Sequence, residues 1–228
     1  MDSWRRVMPD YEIRLWDTDS FDVSSVPYVK EAFDAGKWAF AADYIRIYAL
    51  YKEGGIYLDS DVKVLKPFDA FLGYPFFSCM EYHPTQVARD HASYPVDKDG
   101  RRITEGYVSG IQIQAAVMGA QAGNPFLKDV LDWYGEQHFL RPDGTLATDV
   151  LSPQIYARIA ENYGFRYVDA NQTLEKGLHI FPSETFAGNK HEATPESYAI
   201  HLCAHSWHLS WLEKLKKFIG QETTRTKQ

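Results

Sequence analysis

The sequence predicts an α/β fold: a mixed, mostly parallel sheet flanked by helices. Two observations carry the prediction. Short apolar runs of strand length alternate with longer segments of helical period, and glycine or proline punctuates the joins. Composition agrees, with 45% hydrophobic and 24% charged residues over 228 positions, as in a folded globular chain. No repeat, low-complexity block or linker divides the chain. A single domain is therefore expected over residues 1–220, with 221–228 as a frayed tail.

The elements follow in chain order. Tyr11-Glu12-Ile13-Arg14-Leu15-Trp16 alternates polar and apolar and reads as a strand. Pro27 opens a short helix over 26–35. Trp38 to Lys52 reads as a helix with Phe40, Tyr44, Ile47, Tyr48 and Tyr51 on its apolar side, stopped by Gly54-Gly55. Ile56-Tyr57-Leu58 is a short strand, Val62 to Leu65 continues outward, and Phe76 to Met80 is a buried strand. Residues 81–106 are polar and loop-like, a length that usually serves function. Ile111 to Met118 is apolar but of undecided type. Asn124-Pro125 starts a helix to about 138, and Ser152-Pro153 starts another to Tyr163, Ser152 serving as cap. Strands are expected at 165–169, 179–181 and 198–202, then an amphipathic helix over Trp207 to Ile219.

The chemistry concentrates around Asp59-Ser60-Asp61. Asp-x-Asp alone is common in turns, but here it follows Gly-Gly and an apolar strand, where aspartate is disfavoured. At the C-terminal end of a sheet strand it would face the ligand crevice. Two adjacent carboxylates suit a hard divalent cation, Mn²⁺ or Mg²⁺, bridging a diphosphate. Asp43 and Arg46 share a face of the preceding helix. In mostly apolar surroundings such a pair needs partners or a purpose. Arg46 is a candidate for a phosphate or sugar hydroxyl, and Asp43 for sugar hydroxyls. His201, His205, Ser206 and Trp207 form a second cluster; imidazole is a common metal ligand, and Trp207 offers a stacking face.

Charge and cysteine usage exclude other classes. A net charge of -7 argues against a nucleic-acid partner. Cys79 and Cys203 make neither a disulfide framework nor a zinc cluster, and they fit a reducing, cytoplasmic setting. No apolar run spans a membrane, and residues 1–6 do not open a signal peptide. The basic run Lys214-Leu215-Lys216-Lys217 is a candidate for peripheral contact with the inner membrane face.

These residues resemble glycosyltransferase family 32, the sugar-binding region containing a DXD motif, found in capsular polysaccharide transferases and α-mannosyltransferases. The resemblance rests on Ala42-Asp43-Tyr44, Arg46 and Gly54-Gly55-Ile56-Tyr57-Leu58-Asp59-Ser60-Asp61. It extends to Met8-Pro9-Asp10-Tyr11-Glu12, Val64-Leu65-Lys66-Pro67-Phe68, Gly123-Asn124-Pro125-Phe126, Ser152-Pro153-Gln154 and His201 with Ser206-Trp207. The resemblance implies a GT-A-like nucleotide-diphospho-sugar transferase fold and a metal-dependent, retaining hexosyltransferase. It would use a UDP- or GDP-linked sugar and a glycan or lipid-linked acceptor in polysaccharide biosynthesis.

Carried over by position, Asp59 would face the donor ribose and sugar with help from the metal and Asp61 would ligate the metal directly, with Asp59 and His201 or Ser206 completing its shell and His205 in reserve. Asp43 and Arg46 would bind the donor sugar, and Tyr57 and Trp207 would flank the diphosphate. Asp59, Asp61 and Arg46 make up the expected catalytic set. The family pattern opens on a strand of the type Ile-Pro-Lys-Ile-Ile-His-x-x-Trp, and the match here begins after it. A partner strand or a second copy of the chain would fill that place. Gln112 and Gln114 stand near a position where the family often carries Asn. The same motif also fits a non-catalytic carbohydrate- or nucleotide-binding remnant, or a toxin-like transferase that modifies protein. The 81–106 loop, with His83, His91, Arg101 and Arg102, is the expected acceptor side, meeting an anionic or sugar group.

Overall fold

The computed structural model describes residues 1–89 and 95–202. The expected helix over 207–219, the tail, Cys203, His205, Ser206, Trp207, the basic run at 214–217 and His91 lie outside the described residues. Helix α1 (Asp2–Val7) precedes an extended stretch, then α2 (Pro27–Asp34) and α3 (Trp38–Glu53). Strands β1 (Gly55–Leu58), β2 (Val62–Val64) and β3 (Phe76–Tyr82) follow, then the short helix α4 (Pro84–Arg89). Next come β4 (Ile111–Ile113), β5 (Val117–Ala120), α5 (Pro125–Gly135) and α6 (Ser152–Ala160). The described chain closes with β6 (Gln172–Thr173), β7 (Leu178–Phe181), β8 (Phe186–Ala187) and β9 (Ala199–His201).

The main sheet has the order β1-β5-β3-β7-β6, with β4 also on β3. It is mixed and flanked by helices, as the sequence predicts. The expectation of mostly parallel neighbours does not hold: among the described residues, β3 and β7 are the one parallel pair of the main sheet, and outside it β8 and β9 add another. β5 runs antiparallel to both β1 and β3 and lies between them. β1, β3 and β7 therefore point the same way, with a reversed strand inserted. A smaller sheet, β2-β9-β8, packs beside the first.

Two apolar clusters fill the two faces of the main sheet. One joins α2, α3, α5 and α6 through residues such as Ile47, Met80, Phe126 and Tyr156. The other joins α1 to the small sheet through Trp4, Phe68, Phe71, Phe77 and Phe186. Trp4 Nε1 donates to the Val62 carbonyl at 2.7 Å, which ties α1 to β2.

Two glycines are required by geometry. Gly54 sits at φ +70°, and a Cβ there would lie 2.9 Å from the Ala122 nitrogen, so the turn from α3 into β1 demands glycine. Gly119 has no room for a Cβ, which would come 2.0 Å from Phe77 Cε1.

Local expectations were met unevenly. The helices after Pro27, Trp38 and Asn124 form where the sequence places them, and Asn124 Oδ1 accepts from the Phe126 and Leu127 amides as a cap. Tyr11–Trp16 forms no strand; no ladder partner lies beside it among the described residues, and alternation alone does not make a sheet. Residues 165–169 likewise form no strand. Ser152 is not a cap: Leu151 occupies that position, and Gln154 Oε1 accepts from its amide at 2.9 Å. The 81–106 segment carries helix α4.

Candidate active site

The site begins where β1 ends. The Asp59 amide donates to the Ala116 carbonyl at 2.9 Å, continuing the β1–β5 ladder by one residue. The Val62 amide then donates to the Asp59 carbonyl at 2.9 Å, so Asp59 to Val62 form a tight turn. β2 starts from that turn and pairs with β9 in the register Val62↔His201. The Leu202 amide donates to the Asp61 carbonyl at 3.2 Å. This register brings a histidine 140 positions downstream of Asp61 beside it.

His201 Nε2 lies 3.3 Å from Asp61 Oδ1 and 3.9 Å from Asp59 Oδ2. Ligand atoms of Asp59, Asp61 and His201 all fall within 4.8 Å of one another. Each of the three side chains keeps about a quarter of its surface exposed, at 25%, 25% and 24%. The cluster is thus reachable from solvent. Two carboxylate oxygens and one imidazole nitrogen are a donor set that fits a divalent cation of the Mn²⁺ type.

Behind this cluster lies a closed polar knot. Arg46 is 7% exposed, and its guanidinium reaches four acceptors: Asp43 Oδ1 at 3.0 Å, the Ala115 carbonyl at 2.8 Å, Asp59 Oδ1 at 3.5 Å and, from Nε, the Ala42 carbonyl at 3.4 Å. It also lies over the Tyr57 ring, 4.9 Å from its centre. Tyr57 donates its hydroxyl to Asp59 Oδ1 at 2.6 Å. Ser152 donates to Asp43 Oδ1 at 2.8 Å, and the Tyr156 hydroxyl donates to the Asp43 carbonyl at 3.2 Å. Arg46 therefore joins Asp43 to the acidic motif.

The Ala115 carbonyl is available because the backbone bulges between β4 and β5. β3 pairs with β5 in one register and with β4 in another, three residues out of step. Gln114-Ala115-Ala116 absorb the difference. Ser78 Oγ lies 2.9 Å from both the Gln114 and Val117 carbonyls and satisfies the bulge from below. Its free carbonyls point to Arg46 and to the Asp59 amide.

Electrostatics follow from burial. Burial pushes the Asp43 carboxyl up to about 6, although Arg46 and Ser152 pull it down; Asp59 adds to the rise. For Arg46, burial opposes the charge, yet Asp59, with Tyr57 and Asp43, outweighs it and holds the guanidinium well above its ordinary range. Burial also raises the Tyr57 phenol, so it remains a donor to Asp59.

The structure brings together Asp43, Arg46, Tyr57, Asp59, Asp61 and His201. It adds Ser152, Tyr156 and the Ala115 carbonyl, which the sequence did not single out. Of these only Ser152 carried a signal, and that signal read as a helix cap. A groove of about 560 Å³ lined by Tyr48, Tyr51 and Lys128 lies on the other side of α3 from Asp43 and Arg46.

Residues 1–77 match the family model described as a glycosyltransferase sugar-binding region containing a DXD motif. That span holds Asp43, Arg46, Tyr57, Asp59 and Asp61; His201 lies beyond it. Over 71 residues the chain is 39% identical to an inositol phosphoceramide mannosyltransferase 3 of Schizosaccharomyces pombe, covering 29% of this chain and 20% of that protein. Over 47 residues it is 49% identical to glucan organizing enzyme 1 of Cryptococcus neoformans var. grubii, covering 21% of this chain and 13% of that one. The matches thus span a fifth or less of these relatives. A solved structure titled PaToxG glycosyltransferase aligns at TM-score 0.35 and 17% identity, over 64% of this chain and 44% of its own.

Proposed function

We propose, from the premise that residues 1–77 carry a glycosyltransferase sugar-binding region of the DXD type, that the chain is a metal-dependent, retaining hexosyltransferase. It would move a sugar from a nucleoside-diphosphate donor to a glycan or lipid-linked acceptor. The observation that carries this reading is the convergence of Asp59, Asp61 and His201 from two distant parts of the sequence. The mannosyltransferase relative supports mannose, and with it a GDP-linked donor, as the first sugar to test.

Asp59, Asp61 and His201 would hold the cation, and the imidazole favours Mn²⁺ over the all-oxygen preference of Mg²⁺. A bound divalent cation offsets the negative charge that gathers on a departing diphosphate. The chain's own groups do the positioning. Arg46 fixes Asp59 and Asp43 relative to each other. Asp43 has its Oδ1 held by Arg46 and Ser152, which leaves Oδ2 to accept from a sugar hydroxyl. Tyr57 holds Asp59 Oδ1, so Asp59 directs its other oxygen outward. Asp59 and Asp61 would be taken up by the cation and Asp43 is held by Arg46 and Ser152, which fits a front-face route without a carboxylate nucleophile. Among the described residues no helix is long and apolar enough to cross a membrane, and a cytoplasmic protein with peripheral contact to the inner membrane face fits the proposal.

The test is release of nucleoside diphosphate from a panel of UDP- and GDP-sugars, with and without Mn²⁺, and Mn²⁺ binding measured directly by calorimetry. Wild type should turn over one donor and bind the ion. Asp61→Asn should lose both while keeping its circular dichroism spectrum. Full metal-dependent turnover in Asp61→Asn would sink the reading, as would a well-folded wild type that binds no metal and turns over no donor.

A further inference from the structure

A second polar cluster stands at the same edge of the main sheet and is not used by the site above. β1 and β3 run the same way, both against β5. Their C-terminal ends therefore open on one edge, with Asp59 after β1 and Glu81 near the end of β3. The register Glu81↔Gln112 sets Gln112 across from Glu81. Along β3, Phe77 and Cys79 face the cluster shared with the small sheet, and alternation puts Glu81 on that same face. β8 and β9 of that small sheet carry Phe186 and His201. Glu81 thus shares an edge with Asp59 and a face with the small sheet that carries His201.

The cluster is built. His83 Nε2 lies 3.0 Å from Glu81 Oε1, and Gln112 Nε2 donates to the same oxygen at 3.2 Å. Glu81 keeps 23% of its side chain exposed and His83 keeps 45%, while Gln112 is 5% exposed. Gln112 commits its amide hydrogens to Glu81 and leaves its own Oε1 buried without a partner. A fold rarely tolerates an unpaired buried acceptor unless the group is held for another purpose. Here the outcome is a fixed carboxylate whose Oε2 has no protein partner among the described residues.

The charge of the neighbourhood selects the ligand. Glu81 and Glu192 both act on His83 and hold its imidazole above its ordinary range, chiefly through the Glu81 hydrogen bond. The two arginines that the sequence placed on this side are engaged elsewhere. Arg102 makes two hydrogen bonds to Glu161, and Arg101 pairs with Asp99 at 3.7 Å. An anionic acceptor would meet two carboxylates against the single imidazole of His83, with both arginines of that pair engaged. A neutral hydroxylated one would meet an acceptor oxygen and an imidazole N–H.

We propose that Glu81, His83 and Gln112 form the acceptor-binding arm of the cleft, with Glu81 and His83 contacting hydroxyls of an uncharged sugar or polyol and Gln112 positioning Glu81. The proposal rests on the transferase reading for the word acceptor, but the binding it claims is testable without turnover. The probes are methyl α-mannoside and methyl β-glucoside, with glucuronic acid as the charged control. Saturation-transfer NMR reads binding, and nucleoside-diphosphate release reads turnover with and without each probe. The expected result is that neutral probes bind wild type and speed release, while glucuronic acid does neither. In Glu81→Gln and His83→Ala both effects should fall about tenfold or more, the size expected for losing a hydrogen bond to a charged group. Donor hydrolysis without a probe should stay within about twofold in both variants. Neutral probes that fail to bind wild type, or bind the variants equally well, would overturn the proposal. So would loss of probe-free hydrolysis in the folded variants, or preferential binding of glucuronic acid. Binding lost in the variants of a wild type that hydrolyses no donor would uphold this site and sink the transferase reading instead.

Discussion

The open cluster of Asp59, Asp61 and His201 and the closed knot of Asp43, Arg46 and Ser152 share a carboxylate, Asp59, yet are built on opposite principles. In the knot the charges of Arg46 and Asp43 are buried and answered by protein: Arg46 has four acceptors, and Asp43 has a cation and a hydroxyl. In the open cluster two carboxylates and an imidazole face one another at about a quarter exposure. The knot holds Arg46 and Asp43 Oδ1 in place without a ligand. The cluster gathers two carboxylates and an imidazole at a solvent-reachable point, a donor set that suits a cation. The difference teaches which residues hold the shape and which are kept for chemistry.

Arg46 is where breaking the knot should cost most. Arg46→Ala would leave Asp43 and Asp59 as buried or half-buried carboxylates with their cation gone. Loss of about 3–5 kcal/mol of stability is expected, read by urea unfolding. A loss under about 1 kcal/mol would show that the knot is not a structural unit. Asp61→Asn should behave in the opposite way. Without metal it removes one of two repelling charges, so its melting temperature should equal or exceed that of wild type. Added Mn²⁺ should raise the melting point of wild type and not of the variant. A variant that melts well below wild type without metal would place Asp61 in the scaffold.

Acidity separates the two regions as well. The Asp43 carboxyl rises from 3.8 to about 6 in the fold. A folded value above the unfolded one means that the folded state holds its proton longer. Its contribution to stability is full below the unfolded value and is lost as pH climbs through about 6. Wild type should therefore lose stability relative to Asp43→Asn between pH 4 and 7, by up to about 3 kcal/mol. Unfolding curves for both proteins across that window check the sign. A difference that is flat, or that grows in favour of wild type, would mean that Arg46 keeps Asp43 ionised throughout.

The sequence showed one region better than the other, for a physical reason. The acidic motif is local: Gly54-Gly55, an apolar strand and Asp59-Ser60-Asp61 follow within eight residues, and each step has a known backbone consequence. The pairing of Asp43 with Arg46 is also local, set by helical spacing. His201 was named only as a candidate, because the β2–β9 register that places it is set by long-range packing. The Ala115 carbonyl was invisible, since a bulge is a mismatch between two registers and no single segment encodes it. Tyr11–Trp16 shows the reverse error. Its alternation is real, but a strand needs a neighbour, and the pattern says nothing about whether one is there.

Ser152 marks the boundary of that legibility and supplies the smallest of the expected effects. Ser followed by Pro at a helix start reads as a cap, and the capping role would predict that Ala costs stability by fraying α6. The structure instead spends the hydroxyl on Asp43 Oδ1 at 2.8 Å, 109 residues away, and caps the helix through Leu151 and Gln154. Ser152→Ala should therefore leave α6 intact and cost about 1 kcal/mol, the usual value of one buried hydrogen bond. It should also raise the Asp43 carboxyl further, because a hydroxyl that favours the ionised form has gone. The pH at which the loss of stability levels off should move upward in Ser152→Ala, and Ser152→Thr should restore it. A variant with unchanged pH dependence but faster hydrogen exchange along the first turn of α6 would return Ser152 to the role of a cap.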